Sequence, residues 1–210
     1  EDSGLVYCPR YGSRGDCIIA FSGYCDNMET FKYLKELNVF DVDNQEWRTI
    51  PYTDGPDARV KCSMIYVPQR NQVIMYGGRS SHAELYDMWS LDLRDFSWRQ
   101  VTRADVTGDA PQGKWVNRQL SSTIAVPVFD DGTEELLLYM FNGETLHWTS
   151  YRTPLQEKPN FLALHEFEEG ARDSQLVLFT KCSSPDYHVY LIDTKVPELP
   201  RKLHSMAKQR

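Results

Sequence analysis

No run of apolar residues in this 210-residue chain approaches the roughly 18 that a membrane-crossing helix needs. The N-terminus shows no charged-then-apolar signal-peptide pattern. The five cysteines, Cys8, Cys17, Cys25, Cys62 and Cys182, are odd in number and include no Cys-x-x-Cys pair of the kind tetrahedral zinc uses. No Asn-x-Ser/Thr acceptor occurs. These absences point to a reducing, cytoplasmic setting. Catalytic signatures are missing too. The five histidines, His82, His147, His165, His188 and His204, lack the two- or four-residue spacing of ligand pairs. There is no Gly-x-Ser-x-Gly elbow, phosphate-cradling glycine loop or metalloprotease helix. No catalytic residue, metal ligand or cofactor is therefore assigned, and a non-enzymatic chain is expected. Positive charge is also short, with 23 Lys and Arg against 30 Asp and Glu and a net charge of −7. Phosphate-backbone binding draws on clustered cations, and the one basic cluster, Arg201-Lys202 with Lys208 and Arg210, sits at the end. Nucleic acid is not expected as the main partner.

What is present is a repeat. Phe40-Asp41-Val42 followed by Trp47-Arg48-Thr49-Ile50 returns 51 residues later as Leu91-Asp92-Leu93 followed by Trp98-Arg99-Gln100-Val101. The second copy follows an apolar run ending in Gly77-Gly78, and the first follows one ending in Ser22-Gly23. A period near 50 residues marks a repeat architecture.

Each unit reads as four short strands. In the second, Cys62–Val67 and Val73–Tyr76 flank the turn signal Pro68-Gln69-Arg70-Asn71-Gln72, followed by Met88–Leu93 and Trp98–Val101. In the first, the strands are Gly4–Tyr7, Cys17–Phe21, Leu37–Val42 and Trp47–Ile50. A third unit has Ser121–Val128 as first strand and Glu135–Phe141 as second, ending at Asn142-Gly143. No tryptophan six residues beyond an Asp is read after it. Its outer strands are taken as degenerate, or residues near 145–160 as absent. A fourth unit has strands at Phe161–Leu164, Leu176–Thr180 and Val189–Asp193, with Leu199 six residues after Asp193. Four-stranded sheets with two apolar faces bury both by packing side by side. Trp47 and Trp98 are expected to supply buried area between such sheets.

These residues resemble the kelch-repeat family: an apolar strand ending in Gly-Gly, then an Asp, then Trp about six residues on. Residues 60–101 carry the pattern, residues 5–50 carry it with Ser22-Gly23, and Pro56-x-x-Arg59 suits the family's approach to a first strand. Gly23, Asp41, Trp47, Gly77, Gly78, Asp92, Trp98 and Gly143 are the residues of the structural repeat. The resemblance implies an all-β fold of four-stranded antiparallel blades, a kelch-type β-propeller or part of one. Blades are placed at about 4–51, 60–101, 119–155 and 161–200 within residues 1–195, and 196–210 is read as a polar, basic tail. The family commonly has six or seven blades, so the expectation is part of a longer propeller, or one completed by a neighbouring chain.

Strand direction alternates within a blade, so the connections from second to third strand and from fourth to the next first strand share one face. Tyr24–Glu36, Arg79–Asp87, Pro51–Arg59 and Thr102–Arg118 are read as its long loops. They carry the candidate partner-binding residues Arg59, Arg79, His82, Tyr86, Arg103, Lys114, Trp115 and Arg118, since Arg and Trp dominate protein interfaces. Tyr24, Tyr76 and Cys25 are read as core residues and a buried thiol, not as metal ligands. Cys8 and Cys17 fall opposite each other in the first hairpin, within disulfide reach, and free thiols are expected. The expected function is a protein–protein interaction scaffold or adaptor within a larger assembly. The alternative is a kelch-like enzyme, or a sugar- or metal-binding propeller with an axial site.

Overall fold

The computed structural model describes residues 2–10, 15–27, 30–111, 118–119, 123–130, 135–153, 161–168, 174–181, 187–193 and 201–206. Among them the chain is nearly all β, with two short 3-10 turns at Pro68–Arg70 and Arg103–Asp105. The first sheet contains β1 (Gly4–Cys8) and β2 (Cys17–Phe21). A separate two-stranded hairpin, β3 (Tyr24–Asn27) and β4 (Thr30–Tyr33), follows, and β5 (Leu37–Asp41) and β6 (Glu46–Ile50) complete the sheet in the order β1-β2-β5-β6. The second is the meander β7 (Ser63–Val67), β8 (Gln72–Arg79), β9 (Glu84–Asp92) and β10 (Trp98–Val101). The third runs β11-β15-β14-β13-β12, built from β11 (Thr107–Gly108), β12 (Arg118–Gln119), β13 (Thr123–Asp130), β14 (Glu135–Asn142) and β15 (His147–Thr153). Here β11 runs parallel to β15. The fourth is β16 (Phe161–Glu168), β17 (Ser174–Lys181), β18 (Tyr187–Asp193) and β19 (Arg201–Met206).

The chain divides into two compact units. One is formed by 1–108, 112–125 and 141–148, the other by 109–111, 126–140 and 149–210. In the first unit the core lies between the first two sheets. Val6, Cys8, Cys17, Ile19, Phe21, Leu37 and Val39 from one sheet are buried together with Met64, Tyr66, Val73, Met75, Leu91 and Trp98 from the other. Alternation along β1 and β2 sends every second side chain to that interface. Both faces of the second sheet are covered, and β7 is buried at all its positions, as expected for strands enclosed on two sides.

The turn after the third strand of the first, second and third sheets is built the same way. Asp41 Oδ1 accepts the Asn44 N–H, Asp92 Oδ1 the Arg94 N–H and Asn142 Oδ1 the Glu144 N–H, each at 2.9 Å. Four residues after each of these acceptors the backbone turns left-handed, at Gln45 (φ 57°), Phe96 (φ 60°) and Leu146 (φ 53°). Six residues after each comes a tryptophan: Trp47, Trp98, Trp148. The third unit therefore carries the repeat signature after all. Asn142 replaces Asp with the same acceptor oxygen, and Phe141-Asn142-Gly143 ends a third strand rather than a second. The strand expected first in this blade, Ser121–Val128, corresponds to β13, the second strand from the start of its meander.

Three further expectations are corrected. The second-to-third strand connections are hairpins, not open loops: β3–β4 fills 24–33, and β8 and β9 continue pairing out to Arg79↔Glu84. Residues 201–206, expected in a basic tail, pair with β18 as β19, because backbone pairing on an edge strand does not need apolar side chains. Cys25, expected to be a buried thiol, is exposed, whereas Cys8 and Cys17 are buried, free and directly paired in register. The Cys8 thiol is pushed well up by its hydrogen bond with Cys17 and by burial.

The paired residues ending the second strands match in backbone as well as position. Ser22 and Gly23 have φ of 61° and 111°, and Gly77 and Gly78 have 65° and 100°. A Cβ on Gly78 would lie 2.6 Å from the Val60 carbonyl oxygen. Gly78→Ala is therefore expected to destabilise the fold by about 1–3 kcal/mol, measured by urea denaturation. Gly143→Ala meets only the ends of the Val67 and Ile65 side chains and is expected to cost less.

Candidate functional site

The connections predicted to form a binding face leave the first two sheets from one edge. Their geometry is clearest in the second blade. The β7 strand pairs with β8 only as far as Tyr76, while β8 and β9 run on together to Arg79 and Glu84. The hairpin thus projects past the sheet. Its tip is closed by Ser80, whose hydroxyl accepts the His82 and Ala83 N–H groups and lies 3.1 Å from the Ala83 carbonyl oxygen. Its last rung, at Arg79, is tied down by reciprocal backbone bonds of 2.9 Å to Val60.

Arg59 anchors the base of the hairpin, at Gly77 and Asp87. Its side chain is only 1% exposed. Nη1 and Nη2 grip the two carboxylate oxygens of Asp87 at 2.6 and 2.9 Å, Nη1 also donates to the Gly77 carbonyl at 3.0 Å, and Nε donates to the Asp57 carbonyl at 3.0 Å. Trp89 Nε1 donates to the same carboxylate at 2.6 Å. Burial acts to raise the Asp87 carboxyl, but the hydrogen bond and charge of Arg59, with the Trp89 N–H, outweigh it and hold the group below the usual carboxylate range. Arg59 is thereby removed from the candidate surface: its guanidinium is consumed in joining a fourth-to-first connection to the hairpin. A comparable joint exists in the first blade. Ser22 Oγ accepts the Arg59 N–H at 2.7 Å and lies 2.6 Å from both the Leu34 and Arg59 carbonyl oxygens. Asp87 and Ser22 went unrecognised in the sequence because one lies in a stretch read as open loop and the other stands in for a glycine.

Three of the other candidates lie on the hairpin. Arg79, His82 and Tyr86 are exposed, with Arg79 in a loose ion pair to Glu84 at 3.9 Å. The Tyr86 hydroxyl is raised by burial and then by the Glu84 charge. Arg103 is exposed in the 3-10 turn after β10. That turn is capped by Asp105, whose carboxylate accepts the Thr102 hydroxyl and N–H and pairs with Arg99, holding it at about 2. Arg118 lies in β12 by its backbone, while Lys114 and Trp115 fall outside the described residues. Among the described residues no three His, Cys, Asp or Glu side chains converge as metal ligands would, and no helix is long and apolar enough to cross a membrane.

The comparisons agree with this architecture. Over 117 residues, 52% of the chain and 2% of the relative, the sequence is 26% identical to the dynein alpha chain of the flagellar outer arm of Chlamydomonas reinhardtii. Over 133 residues, 61% of the chain and 37% of the relative, it is 29% identical to the N-(sulfonatooxy)prop-2-enimidothioate sulfolyase of Thlaspi arvense. The chain thus spans well under half the length of either protein. The family model described as the KLHDC2/KLHL20/DRC7 Kelch-repeats domain matches residues 10–195. With its three Asx-capped, tryptophan-bearing turns and its four-stranded antiparallel sheets, the chain belongs to this kelch-repeat family and is a kelch-type β-propeller or part of one.

Proposed function

We propose that the chain is a non-enzymatic, cytoplasmic protein-interaction scaffold within a larger assembly, docking its partner on the edge that carries the projecting hairpins. The observation that carries this reading is the β8–β9 hairpin. It is fixed at its base by the ion pair of buried Arg59 with half-buried Asp87 and displays Arg79, His82 and Tyr86 to solvent. A rigid element presenting Arg and Tyr is the kind of surface on which interface hot spots form. The flagellar dynein chain among the relatives belongs by its name to a multi-component arm and supports assembly membership. In quantitative co-purification from the native source, the double change Arg79→Ala with Tyr86→Ala is expected to lower partner recovery about 30-fold or more, the effect of roughly 2 kcal/mol at a hot spot. Both side chains are exposed, so the melting temperature stays within about 2 °C of wild type. An unchanged partner list overturns the assigned face.

The relative named as a sulfolyase supports the second reading, a kelch-like enzyme. Incubation with N-(sulfonatooxy)prop-2-enimidothioate is expected to leave that compound unconsumed. Turnover, or stoichiometric metal in the purified protein, would put the enzyme first.

A further inference from the structure

The blade pattern does not call for the two cysteines of the first hairpin. Asp41 pairs with Cys17, the first residue of β2, as Asp92 pairs with Gln72, the first residue of β8. The residue across the hairpin is Cys8 in one blade and Val67 in the other. Two thiols therefore stand where the second blade has an amide and an aliphatic side chain.

Directly opposed residues of an antiparallel pair have Cα atoms about 4.5–5.5 Å apart, inside the range of about 4.4–6.8 Å that a disulfide spans. Alternation puts both thiols on the face of the first sheet that packs against the second, and both are fully buried. They share a hydrogen bond. Cys62 lies beside Gly4, at the opposite end of β1, and Cys25 is on the separate hairpin.

The two thiols are not equivalent. The hydrogen bond from Cys8 lowers the Cys17 thiol, and the Arg48 charge adds to this against burial and the charges of Asp41 and Asp16. Cys8 is pushed up and keeps its proton. In thiol–disulfide exchange the thiolate attacks, so Cys17 is the attacking sulfur and Cys8 the resolving one. Access follows from position. Both cysteines adjoin the connection 9–16, and β1 is an edge strand of its sheet. Asp16 holds that end: its carboxylate accepts the Tyr7 hydroxyl and, at 3.0 Å, the Arg10 N–H, and both bonds are solvent-exposed. Opening a solvated edge takes far less free energy than global unfolding.

We propose that Cys8 and Cys17 form a reversible redox site, closing to an intrachain disulfide by exchange with a small-molecule disulfide that enters at the loop end of the β1–β2 hairpin. The Cys17 sulfur attacks one sulfur of the reagent, giving a mixed disulfide and releasing one thiolate. Cys8 gives up its proton and attacks the Cys17 sulfur, forming the Cys8–Cys17 bond and releasing the second. Two electrons pass from the protein to the reagent, which departs as two thiols. Both cysteines are free thiols here, so the structure is the reduced form. In a reducing compartment such a pair acts as a sensor rather than a staple.

The test is incubation of the folded protein carrying Cys25→Ser with glutathione disulfide, followed by acid quenching, unfolding, alkylation of the remaining thiols and tryptic mapping. Trypsin cuts after Arg10 and Arg14, between the two cysteines, so the disulfide joins two peptides that separate on reduction. The expected result is that linked pair, reversed by dithiothreitol, with a melting temperature about 5 °C above that of the reduced protein. Tyr7→Phe removes one hydrogen bond from the closed end without changing charge and is expected to speed linkage about threefold. Recovery of Cys8 and Cys17 as unmodified thiols or as separate glutathione adducts, while exposed Cys25 of the parent protein reacts, would overturn the proposal. So would a link that forms only after unfolding in urea, or a linkage rate unchanged by Tyr7→Phe.

Discussion

Trp98→Ala is expected to lower stability by about 3–5 kcal/mol, the range for emptying a buried tryptophan site. For a chain of this size that is a fall of roughly 10 °C in melting temperature. The reason is position. Trp98 sits in the core between the first two sheets, with Phe21 at 5.1 Å and Tyr52 at 6.4 Å. Its loss leaves a cavity bounded by two twisted sheets, which cannot collapse into it without moving whole strands. Its indole N–H finds no acceptor among the described residues, so the side chain contributes by packing alone. Trp98→Phe keeps the ring contacts, gives up no hydrogen bond and is expected to cost less than half as much. Trp47→Ala in the 210-residue chain is expected to cost under about 1 kcal/mol, since that ring is mostly solvated. Urea denaturation of the three variants checks the order. Equal losses for Trp98→Ala and Trp47→Ala would contradict the packing described.

The second large effect is expected at Arg59. Arg59→Met removes the enclosed partner of a partly buried ion pair and is expected to destabilise by about 2–4 kcal/mol, somewhat under the range for a fully buried pair because Asp87 keeps 26% exposure. Among the described residues Asp87 is left with the Trp89 N–H from another side chain, and the Gly77 carbonyl loses the guanidinium. Pairing Arg59→Met with Asp87→Leu is expected to recover much of the loss, because no uncompensated charge then remains inside. The dependence on pH has a definite sign. In the wild type the folded-state carboxyl of Asp87 is depressed. Its contribution is thus fully present above the unfolded aspartate value of about 3.9 and is lost as pH falls through the lower folded value. In Arg59→Met burial acts without its counterweight and raises the same carboxyl. That variant is penalised most at neutral pH, and its deficit against wild type narrows on acidification toward pH 4.5. Denaturant titrations of both proteins at pH 7 and pH 4.5 measure the gap. A gap that widened in acid would show that Asp87 does not carry the effect.

The hairpin that carries the candidate partner surface hangs on this pair, so Arg59→Met also probes the proposed function indirectly. Its effect on partner recovery should follow the fraction folded. The effect of Arg79→Ala with Tyr86→Ala should not, because those side chains are exposed on the hairpin itself.

The blade pattern was legible in the sequence wherever local chemistry alone sets it. Period-2 alternation, the Asp or Asn oxygen that closes a turn, and the residue pair at positive φ are properties of a few consecutive residues, so Asp41, Asp92, Gly77 and Gly78 announced their roles directly. Even the missed third signature, Asn142 to Trp148, was present; it was passed over because Asn142-Gly143 imitates the glycine pair of a second strand. Tertiary structure decided the rest, because burial depends on what lies opposite. Trp47 and Trp98 occupy the same repeat position in similar local sequence, yet a neighbouring sheet covers one and not the other. Arg59 reads as a surface cation until folding brings Asp87, 28 residues away in sequence, within 2.6 Å. Cys25 reads as core until β3 is seen to leave the main sheet. Strand alternation and turn chemistry are local and were written in the chain, whereas exposure, and with it the division between scaffold residues and surface residues, came only from the packing of one sheet against the next.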